Sequence, residues 1–451
     1  MRVLPPSLDL SLDGFASHDI FGRSQLADGL ANLLKVSEDP LVVAIDGQWG
    51  AGKTTFLTMW SDKLRNDGFP VIHFDAFEHD YVADPFLVLA AEVIALAESL
   101  APKEKRKRKE LLDKSKAAGK VILRHSGSAA IKVLTLGALD AVKAADDLAD
   151  AVADAVKEAS DELVQEALTQ HRAQQESLDR FRGALRMLPA LLKPPKNGES
   201  QRPLVFIIDE LDRCRPVFAL QTLERIKHFF AVENVHFVLG VNLGQLKTSV
   251  AAAYGANVDA GTYLQKFIHL TFQLTTGEGA TGERNYERFV DGLLDRLNFP
   301  EARLEPARLA AKIIKHVASR HDLNLRATER IMMTLALALS FLGPDKHFPP
   351  AILGGLCVLK VQQPELFALA KRGVLKYADI RAFFGFPNDA IWSDKSTSWD
   401  EVGWWWAICS GGGHDSQVRN FVEERLATTE LQASTLVAWV ANEVVDRLQP
   451  L

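Results

Sequence analysis

A lysine and a hydroxyl residue behind a run of glycines form a phosphate-binding arrangement, and residues 47–54 read Gly47-Gln48-Trp49-Gly50-Ala51-Gly52-Lys53-Thr54. Glycines let backbone N–H groups converge without Cβ obstruction, and the N-terminus of a following helix favours anionic oxygens. Lys53 supplies a counter-charge, and the Thr54 hydroxyl can reach a metal ion. With Thr55, these positions are the candidate nucleotide-binding residues. A purely structural glycine turn has no packing reason to end in Gly-Lys-Thr after a strand. The second half of the site lies far downstream, where Leu204-Val205-Phe206-Ile207-Ile208 ends in Asp209-Glu210. One acid there, Asp209, can hold Mg²⁺ together with Thr54, while Glu210 can polarise an attacking water. Helix capping is the other use of such an acidic pair. Asn242, after Val235-His236-Phe237-Val238-Leu239-Gly240-Val241, can read a γ-phosphate or that water; a turn-forming Asn ahead of Gly244 is the alternative.

These groups act together only if the segments that carry them are strands of one sheet. The apolar runs before Asp46, Asp209 and Asn242 have the continuous hydrophobicity of strands buried on both faces, and ligands of open parallel sheets bind at the C-terminal strand ends. The pattern predicts an α/β fold with a parallel sheet. A helix is predicted over 23–34, another from the phosphate loop to the Gly68-Phe69-Pro70 break, and a second strand over Val71–Phe74. Residues 263–270 read as a helix passing into another strand. The acids and histidines of Asp75-Ala76-Phe77-Glu78-His79-Asp80 lack specific metal-ligand spacing and fit a helix start or a place near the nucleotide.

The 451 residues are enough for two or three domains. With 58 acidic and 52 basic side chains, the formal charge of −6 gives no global attraction to nucleic acid or anionic lipid. Cys214, Cys357 and Cys409 are too few and too scattered for a disulfide framework or a zinc motif, which fits a reducing compartment. No apolar run reaches about 18 residues, and the N-terminus has no signal core. The expectation is a cytoplasmic protein, with peripheral contact at the inner membrane kept open.

Composition divides the chain into a first part of the core (1–99), a helical, charge-rich insertion (100–200), a second part of the core (201–278), a helical lid or accessory region (279–380) and an aromatic-rich C-terminal region (381–451). The insertion carries the basic block Lys103-Glu104-Lys105-Arg106-Lys107-Arg108-Lys109, interrupted apolar segments at 121–123 and 129–139, and an acidic stretch from Asp146. A solvated helix face, a membrane surface and nucleic acid are its possible environments. In the tail, Trp404-Trp405-Trp406 cannot all point into one helical core face, so packing and a partner groove both stay open.

Five segments together resemble the KAP family of P-loop NTPases: Asp19-Ile20-Phe21-Gly22-Arg23, the phosphate loop, Phe74-Asp75-Ala76-Phe77-Glu78-His79, the run from Ile207 to Phe230, and Tyr263-Leu264-Gln265-Lys266-Phe267. The family is related to the AAA and STAND switches and includes bacterial phage-exclusion proteins. The resemblance implies an additional-strand P-loop core, ATP with Mg²⁺, Asp209 as the metal-associated acid, Glu210 as general base, and Arg23 beside the nucleotide. Phe77 stands where the family usually has tryptophan and Gln265 where an acid is common. The family often places membrane helices between the two nucleotide motifs; the insertion here contains no convincing span. Arg213, Arg215 and Arg326 are candidates for a charge-neutralising finger or sensor. The expected activity is ATP hydrolysis driving a switch, in anti-phage defence, with a homo-oligomer and an unidentified protein as partners. An ATP-regulated scaffold or nucleic-acid motor is the alternative, and a small-substrate kinase a further one.

Overall fold

Strands β1 (Val42–Asp46), β2 (Val71–Asp75), β3 (Leu204–Asp209), β4 (Val235–Val241) and β5 (Leu270–Gln273) form one sheet in the order β2-β3-β4-β1-β5, every neighbouring pair parallel. The computed structural model describes residues 14–98, 161–192, 201–276, 279–342, 348–427 and 431–447, with the single positions 4, 109 and 113. All of β3 and β4 is buried, as their unbroken apolar sequences require, whereas the edge strand β5 is largely exposed. β4 lies between the phosphate-loop strand and the Asp209 strand, which is the additional-strand arrangement. Register sets Asp46 opposite Val241, Gly240 opposite Asp209, and Asp209 opposite Asp75, so the polar strand ends come out level. At Gly240 an added Cβ would come within 2.5 Å of the Asp209 carboxylate and 2.4 Å of Leu57. Only glycine fits there.

Helices cover both faces. In chain order they are α1 (Gly14–His18), α2 (Ser24–Val36), α3 (Lys53–Asn66), α4 (Pro85–Glu98), α5 (Asp161–Leu192), α6 (Pro216–Arg225), α7 (Leu243–Tyr254) and α8 (Ala260–Leu264). α2 and α3 pack Leu30, Leu34, Phe56 and Trp60 against Val43, Ile45, Val205 and Ile207. On the other face, Phe86 of α4, Phe181 of α5 and Leu220 of α6 meet Phe206 and Phe237. Alternate residues of each strand thus enter opposite cores. α5 belongs to the expected insertion; the basic positions 103–108, the segments at 121–139 and the acidic stretch from 146 lie outside the described residues. Among the described residues no helix is long and apolar enough to cross a membrane.

The rest is helical: α9 (Gly279–Leu297), α10 (Glu301–Arg320), α11 (Leu325–Phe341), α12 (Pro350–Gln362), α13 (Pro364–Lys371), α14 (Tyr377–Phe384), α15 (Ser398–Ser410), α16 (Ser416–Leu426) and α17 (Ala433–Val440), with a two-stranded ribbon of Asp389–Ala390 and Gly413–His414. A single core runs from Tyr286 to Val445, so helices on both sides of residue 380 share it. Trp404 and Trp406 are buried in that core and Trp405 is half-buried against it. Packing therefore accounts for the aromatic tail. Trp404 stacks with Trp392, and Trp406 packs against Phe384.

Candidate nucleotide site

The glycines of the loop after β1 do what their types suggest. Gly50 and Gly52 both have φ of +81°, a left-handed conformation that disfavours any side chain. Lys53 starts α3, and its Nζ donates to the carbonyls of Gly47 at 2.6 Å and Gln48 at 3.3 Å. Burial pushes the Lys53 ammonium below its ordinary pKa, against the pull of Asp212 and then Asp209. Arg23 braces the loop from behind: its guanidinium donates to the carbonyls of Ala51 and Thr275, each at 3.0 Å, and lies over the Phe21 ring. Asp19 fixes the start of α2 by accepting from the backbone N–H groups of Arg23 and Ser24. Burial lowers the Arg23 pKa to about 10, with Asp19 opposing.

At the end of β3, Asp209 is buried. Its Oδ1 accepts from the Glu210 N–H at 2.9 Å, while Oδ2 is buried without a hydrogen-bond partner. Burial raises its pKa, and the Thr54 hydroxyl beside it is the first of the groups that favour the charged form. Glu210 has φ of +59°, unusual for a residue with a side chain. Its Oε1 lies 2.5 Å from Arg213 Nη1. Burial raises the Glu210 pKa too, with Arg213 the foremost opposing group. Trp49 Nε1 donates to Asp212 Oδ2 at 2.6 Å, which ties the phosphate loop to the turn after β3.

Helices of the second half complete a cleft of about 710 Å³. The Leu325 N–H donates to the Gly50 carbonyl at 2.9 Å, and an added Cβ on Gly50 would come within 2.8 Å of Asn324 Oδ1 and 2.9 Å of Arg326 Cβ. The start of α11 therefore sits directly on the loop. Lys53, Thr54, Thr55, Trp49, Gly50, Gly52, Arg23, Asp209, Glu210, Arg213 and Arg326 all line the cleft. Gly47, Gln48 and Ala51 form the back of the loop and contribute carbonyls to Lys53 and Arg23. Two of the expected residues stand apart. Arg215 is exposed and pairs with Asp80 at 3.5 Å, outside the cleft lining. Asn242 caps α7, its Oδ1 accepting from Gln245 N–H at 3.3 Å, and it is not among the lining residues. The Asp75 segment acts as a helix start: Asp75 Oδ1 accepts from Phe77 and Glu78 in a single 3₁₀ turn. No group of three His, Cys, Asp or Glu side chains among the described residues could hold a metal ion.

A family model described as the KAP family P-loop domain matches residues 23–341. The chain belongs to the KAP family. It is a P-loop NTPase, and the match ends with α11, so α12 to α17 extend beyond the KAP model while sharing a core with α9 to α11. No curated protein matches the chain. Solved structures that align along nearly the whole chain include Cdc6p from Pyrobaculum aerophilum (11% identity, 98% of each chain, TM-score 0.38) and the Aeropyrum pernix ORC2 protein in its ADPNP-ADP complexes (12% identity, 98% of this chain and 96% of that one, TM-score 0.33). AMPPCP-bound DnaA from Aquifex aeolicus is a further match (10% identity, 96% and 95%, TM-score 0.28). Superpositions that loose carry no argument about this KAP protein. Sequence reading expected a helical lid here and named Arg326, but it did not single out Arg288, Asp291, Asp295, Arg296 and Glu329, which α9 and α11 add to the cleft wall. Burial lowers the Arg296 pKa and raises that of Glu329, and each opposes the shift of the other. It also missed the junction, where Asp322 Oδ1 accepts from Thr276 at 2.6 Å and from Tyr286 at 2.9 Å.

Proposed function

We propose that this KAP protein is a Mg²⁺-dependent ATPase whose turnover resets a conformational or assembly switch. The observation that carries this reading is Asp209 Oδ2, a buried carboxylate oxygen without a partner, beside Thr54 at the foot of the phosphate loop. A hydroxyl and a carboxylate are the oxygen donors that a hard divalent cation takes, so the residues fit Mg²⁺. Mg²⁺, when bound there, would neutralise charge on the triphosphate oxygens. The backbone N–H groups of the loop hold the phosphates and Lys53 balances their charge. Glu210 orients a water and receives its proton as the water oxygen bonds to the γ-phosphorus and the bond to the β-phosphate oxygen breaks. Arg326, presented on the loop by α11, is the arginine best placed to couple this step to the helical half.

ATP as the nucleotide, and bacterial defence against phage as the setting, rest on family resemblance. Hydrolysis and mass distribution measured in ATP and in ADP, for wild type, Lys53→Ala and Glu210→Gln, test the switch. Turnover should fall by about 100-fold or more in both variants, with Glu210→Gln accumulating in an ATP-dependent homo-oligomer. Unchanged turnover in Glu210→Gln would remove the base from its role. Nucleotide binding by wild type with neither turnover nor mass change would favour a scaffold, and turnover that depends on DNA or RNA would favour a motor. Plaque counts on cells expressing wild type or Lys53→Ala test the setting; equal counts would reject it.

A further inference from the structure

Glu210 holds a left-handed backbone conformation that a non-glycine residue adopts at a cost, and such outliers persist where surrounding contacts over-determine them. Hydrogen bonds on both sides of Glu210 do so here. The Glu210 carbonyl accepts from Arg213 N–H at 3.0 Å, closing the short turn Leu211–Arg213, and the Arg213 guanidinium returns to Glu210 Oε1 at 2.5 Å. That turn is anchored at both ends. Asp212, itself buried, accepts from Trp49 Nε1 at 2.6 Å, and the Arg215 N–H donates to Asp80 Oδ2 at 2.8 Å. Trp49 belongs to the phosphate loop, and it is 44% exposed at the mouth of the cleft. A buried carboxylate that accepts from an indole N–H 163 residues away along the chain is a specific tie.

We propose that Asp212 and Arg213 are positioning residues: Arg213 pins one oxygen of Glu210 so that the other faces the attacking water, and Asp212 ties that arrangement to Trp49, so that the phosphate loop sets the aim of the base. This rests on Glu210 being the base. It gives Arg213 a task within its own chain, in place of the charge-neutralising finger that sequence position alone allows. Pinning works through geometry, since a misplacement of about 1 Å at a catalytic group costs on the order of 100-fold in rate. Because the tie is to the loop that holds the phosphates, loop and base move as a unit.

The test is steady-state ATP hydrolysis together with equilibrium binding of a fluorescent ATP analogue, for wild type, Arg213→Ala, Arg213→Lys, Trp49→Phe, Asp212→Asn and the double variant Trp49→Phe/Arg213→Ala. Arg213→Ala should lower kcat by about 10- to 100-fold with Kd within about 3-fold, and Arg213→Lys should recover part of the loss. Trp49→Phe keeps an aromatic ring at a half-exposed position but removes the N–H donor; a fall in kcat of about 3- to 10-fold is expected, matched by Asp212→Asn. The double variant should be no slower than Arg213→Ala, because both changes disable one device. Three results overturn the proposal: Kd weakened by as much as kcat in Arg213→Ala, which would make Arg213 a ground-state phosphate contact; multiplicative losses in the double variant; or full turnover in Trp49→Phe and Asp212→Asn. If Arg213→Ala does not fold, the Trp49 and Asp212 variants decide alone. Full turnover in Glu210→Gln would instead show that the underlying reading has failed, whereas an inactive Glu210→Gln beside a fully active Arg213→Ala would sink only the positioning pair.

Discussion

Between residues 14 and 276 the described chain buries five charged side chains, Arg23, Lys53, Asp84, Asp209 and Asp212, whereas from 279 to 447 its buried polar groups are Asn285, Thr328, Thr334 and Ser410, all neutral. Burying a charge is costly unless it is paired or used. Asp84 is paired, gripped by Arg225 through two hydrogen bonds of 3.1 and 2.9 Å. The other four surround one cleft. Both halves fill their cores with aromatic rings, Trp60 and Phe206 in the sheet half and Trp406, Tyr286 and Phe384 in the helical half, so the buried charge is what separates them. The sheet half thus accepts an energetic cost around the nucleotide cleft, whereas the helical half keeps its described interior free of charge. Its own contribution to the site comes from surface charges turned toward the loop.

The largest effect expected from breaking this division lies at Trp406. Its ring packs against Gly355, where an added Cβ would lie 2.4 Å away, and its Nε1 donates to the Ala351 carbonyl at 3.3 Å. Trp406→Ala should cost about 3–5 kcal/mol in urea unfolding. Trp399 is half-buried, stacked on His316 with ring centroids 3.8 Å apart, and Trp399→Ala should cost about 1–2 kcal/mol. Comparable costs at the two positions would mean that the aromatic tail is not divided into core and rim. A loss of nucleotide binding in Trp406→Ala without loss of stability would assign the tail to the site and erase the comparison.

A second effect belongs to the sheet half alone. His236 lies on β4, fully enclosed, with its Nδ1 accepting from the Leu41 N–H at 3.1 Å. Burial lowers its pKa to about 4, against the opposing carbonyls of Leu34 and Ser37. In the unfolded chain the value is about 6.5, so between these values the unfolded state binds more protons and stability falls as pH drops. The contribution is complete above about pH 6.5 and is lost progressively toward pH 4, by about 2–3 kcal/mol in all. Urea unfolding at pH 7 and pH 5 should show most of this loss in wild type and much less of it in His236→Gln. An equal loss in both proteins would place the acid sensitivity elsewhere.

How much of this could be read in advance differs between the halves for a physical reason. Parallel strands covered on both faces are continuous apolar runs, so β1, β3 and β4 are visible as Val42–Ile45, Leu204–Ile208 and Val235–Val241, and the groups that follow them stand at the strand ends by topology. The meeting of Lys53, Thr54 and Asp209 in one cleft was legible because each position is local: a loop, a helix start, a strand end. Arg288, Asp295, Arg296 and Glu329 were not, since a charged helix face has the same sequence whether it meets water or a cleft. The bond from Trp49 to Asp212 joins segments 163 residues apart and leaves no periodic trace. Arg215 shows the limit of closeness in sequence: one turn of chain after Asp209 carries it out of the cleft lining to pair with Asp80, an exposed place where only a role at a subunit boundary stays open to it. In the tail, three adjacent tryptophans raised the question of a groove, which the core shared by α9 to α17 answers with packing.

The smallest effect concerns Asn242, a helix cap outside the cleft lining, whose proposed reading of the γ-phosphate can be tested apart from the cap. Asn242 stands at the tip of β4, between the loop strand and the Asp209 strand, and its Oδ1 caps α7 while Asp46 Oδ1 takes the neighbouring Leu243 N–H at 2.9 Å. The cap uses only the carboxamide oxygen; the amide donor plays no part in it. Asn242→Ala should therefore cost about 1 kcal/mol of stability, and Asn242→Asp, which keeps a capping oxygen, less than about 0.5 kcal/mol. Turnover separates the duties. An aspartate removes the donor and adds a negative charge behind the phosphates, so kcat of Asn242→Asp should fall by about 3- to 10-fold although the protein is as stable as wild type. Full turnover in Asn242→Asp would make Asn242 a cap and nothing more, and the chemistry of the sheet half would then end at Lys53, Thr54, Asp209 and Glu210 with the groups that brace them.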